Sequence, residues 1–176
     1  METKADFRRH VRQEKKKYEP EDLIVRSEAV WQQIEMLPEF QRARVIAAYW
    51  SLPDEVFSHD FVEKWSSEKK ILLPVMLEDC RLELREYRPG CTMNEAEFCI
   101  REPEGEVLQP EYVDLILVPG MAFDRQNHRL GRGKGYYDRL LGGMDALKIG
   151  VCFDFQFFDF IPTDEHDIPM DRVIHG

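Results

Sequence analysis

The chain has 176 residues, enough for one domain with a real buried core, and its 43% hydrophobic and 33% charged residues are the balance of a soluble globular protein. A formal net charge of −10 argues against nucleic acid as a partner, because a phosphate backbone demands a basic face. No apolar run approaches the ~20 residues of a membrane helix, and Cys80, Cys91, Cys99 and Cys152 lack the CxxC spacing of zinc or redox-dithiol sites.

The N-terminal METKADFRRHVRQEKKK has no apolar segment of the secretory kind, so a cytoplasmic location is expected. Residues 3–17 read as a polar helix with Phe7 and Val11 as a thin apolar stripe. Most of Arg8, Arg9, Arg12 and Lys15 to Lys17 are expected on its solvated face. Pro20 suits the first turn of a second helix, with Glu21 and Asp22 favourable near its N-terminus. Leu23, Ser27, Val30, Trp31 and Ile34 keep a helical period up to Pro38, and Trp31 reads as core.

Val45 to Trp50 reads as a buried strand. It empties into Ser51-Leu52-Pro53-Asp54-Glu55, at a strand's C-terminal end, where open α/β sheets bind ligands. Taken alone, Glu55 reads as a charge near the start of the next helix. Ser58 is the expected cap of that helix, which runs through Phe61, Val62 and Trp65. Ile71 to Met76 predicts a strand, and the alternation of Leu82, Leu84 and Tyr87 another, closed by Pro89-Gly90. Residues 91–112 read as an irregular excursion, with Pro103, Gly105 and Pro110 among many acids.

The stretch around which the chain is organised runs from Asp114 to Leu141. Leu115 to Val118 is a short apolar run that reads as a buried strand, followed by a polar loop with Asp124, Arg125, Asn127 and Arg129. The cluster Gly131-Arg132-Gly133-Lys134-Gly135 then leads into Tyr136-Tyr137-Asp138-Arg139-Leu140-Leu141, the opening of a helix. A strand, a glycine-rich turn and a helix N-terminus make an anion cradle: backbone N–H groups converge, the helix dipole favours negative charge, and Arg132 and Lys134 add full charges. Phosphate is the natural guest. The spelling excludes two common phosphate loops, since a Walker A lysine is followed by Ser or Thr and a dinucleotide fingerprint needs GxGxxG. Asp138, on the first helical turn, could hold a Mg²⁺ that bridges phosphates.

Gly142-Gly143 stops that helix, and Leu147 to Phe153 is the next strand, with Cys152 as core. Phe155, Phe157, Phe158 and Phe160 are expected in the core. His166-Asp167 is not a catalytic dyad on adjacency alone, and no Ser or Cys stands out as a nucleophile. Alternating strands and helices with buried strand runs predict an α/β fold with a mostly parallel sheet.

The segment RLGRGKGYYDR, preceded by PGMAFD, resembles the signature of the 5-formyltetrahydrofolate cyclo-ligase (methenyltetrahydrofolate synthetase) family. The resemblance covers nearly the whole of 1–176, dense at 119–139, moderate at 44–56 and 151–168, and thin at 78–112. It implies a single three-layer α/β/α domain of the phosphosugar isomerase and CoA-transferase type. It implies ATP-driven closure of 5-formyltetrahydrofolate, polyglutamylated or not, by a monomer. For the site it implies Lys4 and Arg8 on ATP, as a Lys-x-x-x-Arg pair. Arg129, Leu130, Gly131, Arg132, Gly133, Lys134, Gly135, Tyr136 and Tyr137 would form the nucleotide loop, and Arg132, Lys134 and Tyr136 its reactive part. The 132–136 segment would also meet the folate together with Trp50 and Glu55, and Trp50 is larger than the family's aliphatic residue. Asp138 and Asp167 would bind Mg²⁺. Part of the folate would lie near 74–76. Two other readings of a GRGKG loop remain at this point, a phosphosugar isomerase-like enzyme without nucleotide and a non-catalytic sensor of a phosphorylated ligand.

Overall fold

The structure is a computed structural model and describes residues 2–95 and 101–176. It opens with α1 (Lys4–Lys15), started by a reciprocal cap in which the Thr3 hydroxyl accepts from the Asp6 N–H and the Asp6 carboxylate accepts from the Thr3 N–H. α2 (Pro20–Glu35) starts on Pro20, and a short α3 (Pro38–Arg42) follows. Then come β1 (Val45–Ala47), α4 (His59–Trp65), β2 (Lys70–Met76) and β3 (Leu82–Tyr87). The excursion contains β4 (Met93–Glu95), β5 (Arg101–Pro103) and β6 (Val107–Leu108). β7 (Leu115–Pro119), β8 (Ala122–Asp124), β9 (Arg129–Leu130) and α5 (Tyr136–Leu141) make up the glycine-loop region. The chain ends with β10 (Leu147–Cys152), β11 (Phe157–Phe158) and β12 (Arg172–His175).

The main sheet has the order β12-β10-β7-β1-β2-β3-β6. β12, β10, β7, β1 and β2 run parallel, while β3 and β6 extend the edge antiparallel. The strand pleat sends successive side chains to opposite faces, and both faces are apolar. Ile46, Ile71, Leu73, Leu115, Leu117, Ile149 and Val151 pack with Leu23, Val30, Ile34, Phe40, Phe61 and Val62 of α2, α3 and α4. Ala47, Leu72, Ile116, Val118 and Cys152 pack on the other side with Leu140 and Leu141 of α5 and with Met144 and Met170. Two covered faces make the three-layer α/β/α arrangement, and they explain why the central strands read as unbroken apolar runs. No helix among the described residues is long and apolar enough to cross a membrane.

From β1 the chain crosses through α4 to β2 on one side, whereas β7, on the other side of β1, leads on to β10. The loops leaving the C-terminal ends of β1 and β7 therefore part, and a crevice opens at such a switch point.

Several expectations are corrected by tertiary contacts. The strand expected to Trp50 ends at Ala47. Ser58 does not cap α4 with its side chain: its hydroxyl donates to the Tyr49 carbonyl and accepts from the Ser51 N–H, closing the 49–58 loop instead. The loop expected at 120–130 is β8 and β9, joined with β11 into a small sheet, and Asp124 and Arg129 are buried in it. The excursion is not wholly irregular, since β4 and β5 pair and β6 joins the main sheet; Cys99 lies outside the described residues. Lys15 is buried rather than solvated. Of the C-terminal phenylalanines, Phe155, Phe157 and Phe158 are half-buried and Phe160 is exposed, so core status belongs instead to Phe153, with Phe155 stacked on Tyr18 at 4.9 Å. Trp31 and Cys152 are core residues, as their apolar contexts indicate.

Candidate active site

The crevice between β1 and β7 widens into a cavity of about 1220 Å³. Every residue singled out for binding or chemistry from the sequence lies on its wall, drawn from α1, the loop after β1, and the segments around 129–138 and 167. Pro74 and Met76 of β2 and Leu82 of β3 add an apolar wall. Their register on the two strands places Met76 opposite Leu82, which groups the apolar side chains on this side of the cavity.

The glycine loop crosses one rim. Gly133 (φ +111°) and Gly135 (φ +71°) take backbone conformations that a side chain resists, and this lets the loop fold tightly between β9 and α5. α5 has only six residues, and Gly135 gives it no side-chain cap. The helix dipole expected to favour phosphate is correspondingly weak, and the positive character of the rim rests on side chains. Arg129 is a buried strut beneath the loop: it donates to the Pro119 carbonyl at 3.2 Å and to Asp138 at 3.3 Å, and lies against the Tyr137 ring at 5.3 Å. Its Nε is buried without a partner. Leu130 is core in the small sheet. Burial pushes the Tyr137 hydroxyl pKa well up, so this tyrosine stays protonated.

α1 braces the loop from outside. Arg8 Nε donates to the Gly131 carbonyl at 2.8 Å, and its guanidinium lies beside Gly133. One turn earlier, Lys4 Nζ sits between Asp164 at 2.7 Å and Asp167 at 2.5 Å. Partial burial pulls the Lys4 pKa down, but the two carboxylates outweigh it and leave it raised. Thus Lys4 and Arg8, four residues apart on one helical face, reach different partners: Lys4 an acidic pair and Arg8 the glycine backbone.

In the loop after β1, Glu55 accepts from the Leu52 N–H at 3.0 Å and from Arg132 of the glycine loop at 3.0 Å. The structure thereby joins Glu55, expected on the folate, to Arg132, expected on both the nucleotide and the folate. Trp50 lies flat on His59, with centroids 3.9 Å apart and planes at 14°. Burial lowers the His59 pKa, which favours a neutral ring beneath the tryptophan.

Asp138 and Asp167 approach each other because the N–H of Ile168, the residue after Asp167, donates to Asp138 at 3.4 Å. Among the described residues no group of three or more His, Cys, Asp or Glu could hold a metal ion. A protein-only cage is therefore absent from them, but two carboxylates on a cavity edge fit Mg²⁺, which commonly completes its shell with phosphate oxygens and waters.

The 5-formyltetrahydrofolate cyclo-ligase family model matches residues 1–176. The chain belongs to that family. As a family member it is an enzyme, a ligase of folate one-carbon metabolism. It is 42% identical over 115 residues to the 5-formyltetrahydrofolate cyclo-ligase of Mycolicibacterium smegmatis, covering 60% of this chain and 59% of that protein. It is 31% identical to the cyclo-ligase of Haemophilus influenzae, over 80% of each chain. The NMR structure of Aquifex aeolicus 5,10-methenyltetrahydrofolate synthetase superposes with a TM-score of 0.88 at 38% identity, covering 98% of this chain and 89% of that one.

In this cyclo-ligase family member, sequence reasoning missed Asp164, Lys15 and Asp54. Asp164 joins Asp167 on Lys4, and Lys15 reaches Asp54 at 3.0 Å. A buried lysine in a run of solvated lysines carries no sequence signal, whereas Asp54 beside Glu55 in the loop after a buried strand offered one.

Proposed function

We propose that the protein converts 5-formyltetrahydrofolate and ATP into 5,10-methenyltetrahydrofolate, ADP and phosphate. The observation that carries this reading is one continuous cavity lined both by the cationic glycine loop, with Glu55 paired to its Arg132, and by an apolar part made of Trp50, Pro74, Met76 and Leu82. At about 1220 Å³ it exceeds the roughly 300–1,000 Å³ usual for a single small-molecule site, as two substrates require. The sugar-phosphate and sensor readings leave the apolar half without an occupant.

A formyl oxygen is a poor leaving group. In the proposed sequence it attacks the γ-phosphorus, ADP departs, and an imidate-type phosphate forms. N10 then attacks the activated formyl carbon, loses its proton, and the phosphate leaves with the former formyl oxygen. Such a transfer needs positioning and charge neutralisation more than a protein nucleophile. Lys134 and Arg132 neutralise the transferring phosphoryl group, and the 131–136 backbone cradles it. Lys4 and Arg8 serve the nucleotide side, with Arg8 also fixing the loop through Gly131. Tyr136 stands where the two substrates meet, Trp50 offers its ring to the folate, and Glu55 accepts hydrogen bonds from the amino-pyrimidine edge. Asp138 and Asp167 would hold Mg²⁺, which when bound supplies further neutralisation of the phosphates.

The test is growth of methenyltetrahydrofolate absorbance on mixing the protein with Mg-ATP and 5-formyltetrahydrofolate, against a control without ATP. ATP-dependent growth with stoichiometric ADP establishes the reaction. A folded protein that gives none rejects it.

A further inference from the structure

Lys15 stands apart from the basic residues around the end of α1. Arg12, Lys16 and Lys17 are exposed, yet the Lys15 side chain is only 6% exposed, and its ammonium meets Asp54 Oδ2 at 3.0 Å. Burying a lysine is unfavourable unless a partner compensates. That partner is itself shared. Asp54 Oδ1 accepts from Arg132 Nη2 at 2.7 Å, and the same Nη2 donates to Glu55 at 3.0 Å. Two cations thus face two carboxylates, and Arg132 is the only member on the glycine loop.

The charge balance has a consequence for Arg132. With Lys15 in place, Asp54 is already neutralised and Arg132 is held by little more than one net negative charge. Without it, Arg132 would answer two carboxylates alone; its own side chain is 43% exposed, but that of Glu55 is only 10% exposed, and attraction to a carboxylate so sheltered is screened less than at an open surface. A guanidinium held that tightly is withheld from an incoming phosphate. Burial pulls the Lys15 pKa down against the attraction of Asp54, consistent with an ammonium that depends on this carboxylate.

We propose that Lys15 is a positioning residue: by neutralising Asp54 it keeps Arg132 exchangeable between the Asp54–Glu55 pair and the substrate phosphoryl group. Lys15 is not among the residues of the cavity wall, and its hydrogen-bonded partner Asp54 carries its effect to Arg132. The proposal rests on Arg132 as a phosphate-binding group, and it makes α1 a partner in both halves of the cavity, through Lys4 and Arg8 at the nucleotide side and through Lys15 behind the folate rim.

The experiment compares the full-length wild type with Lys15→Met and with Lys15→Met/Asp54→Asn. kcat is measured at saturating substrates and folding by denaturation midpoint; the shorter neutral Lys15→Gln replaces Lys15→Met if the latter does not fold. Lys15→Met is expected to lower kcat about tenfold, the scale of coupling within a charge network. Adding Asp54→Asn removes the excess negative charge, and kcat should return to within about threefold of wild type, because the two substitutions are coupled. A lysine that only packs predicts the reverse, a double variant at least as impaired as the single. Unchanged kcat in Lys15→Met, or no recovery in the double variant, overturns the proposal while wild-type turnover leaves the cyclo-ligase reading intact. Absence of ATP-dependent turnover in the wild type overturns that reading and this one with it.

Discussion

Asp124 and Asp138 lie fourteen positions apart, on the two sides of the glycine loop, and are built for opposite purposes. Asp124 is wholly buried. Its Oδ1 accepts from the N–H groups of Gln126 at 3.0 Å and His128 at 2.9 Å, and its Oδ2 meets the Ile161 N–H at 3.1 Å and the His128 ring at 3.0 Å. The chain itself uses all of its acceptor capacity. Asp138 keeps 22% of its side chain exposed on the cavity, and its contacts to Arg129 and the Ile168 N–H are long at 3.3 and 3.4 Å. A carboxylate saturated by short bonds from its own backbone holds a loop in shape. One held loosely at a cavity edge has lone pairs to offer a ligand.

The sharpest way to break this comparison is to truncate the buried member. Asp124→Ala strands several buried donors, each costing about 1–3 kcal/mol, so the denaturation midpoint should collapse and activity should vanish with the folded fraction. A variant of normal stability would place Asp124 outside the architecture. On the cavity side the order reverses, with chemistry lost and folding kept. Lys134→Ala should lower kcat/KM about 100-fold or more, the scale of removing one preorganised charge from a transition state, with a nearly unchanged midpoint. Full activity would remove the glycine loop from the phosphoryl-transfer step. Asp138→Asn retains shape and loses a charge, so turnover should fall less, by about tenfold, with a rise in the Mg²⁺ concentration needed for half-maximal rate. A Mg²⁺ titration identical to wild type would leave Asp138 as a mere tether for Arg129.

Two smaller effects refine the role of α1. Lys4→Ala should raise the KM for ATP while leaving kcat close to wild type, since it removes binding made equally in ground and transition states. An unchanged KM would confine Lys4 to its ion pairs with Asp164 and Asp167. Thr3→Ala removes the cap that starts α1 and should cost about 1 kcal/mol or less, the usual range for an N-cap. Hydrogen exchange of the amides of Asp6 and Phe7, which bond to the Thr3 carbonyl, would register it first.

The strands were the most legible part of the fold, because β7 and β10 are buried on both faces and therefore spelled as apolar runs. α2 was equally plain, with Pro20 at its start and one apolar face at helical spacing. The failures have a common cause. Ser58 carries the right side chain for a cap, but Tyr49 and Ser51 offer its hydroxyl better-placed partners, and nothing local reports that they are near. The same holds for Asp124 and Arg129, spelled like a solvated loop yet buried because β8, β9 and β11 close over them. Phe160 erred the other way, an aromatic in an aromatic run that the turn after β11 leaves on the surface.

By itself the sequence determined the period of each main helix and strand, the tight glycine turn and the family, since these depend on neighbours in the chain and on a long uninterrupted motif. It placed Lys4, Glu55, Arg132 and Asp167 as separate candidates. Only the tertiary structure decided that Lys4 meets Asp167 across 163 positions and that Arg132 meets Glu55 across 77. Pairings of that span are set by the parallel strand order, which brings the loops after β1 and β7 and the foot of α1 to one crevice. Local spacing has no access to that order, because it is fixed by which apolar faces the sheet and helices bury together.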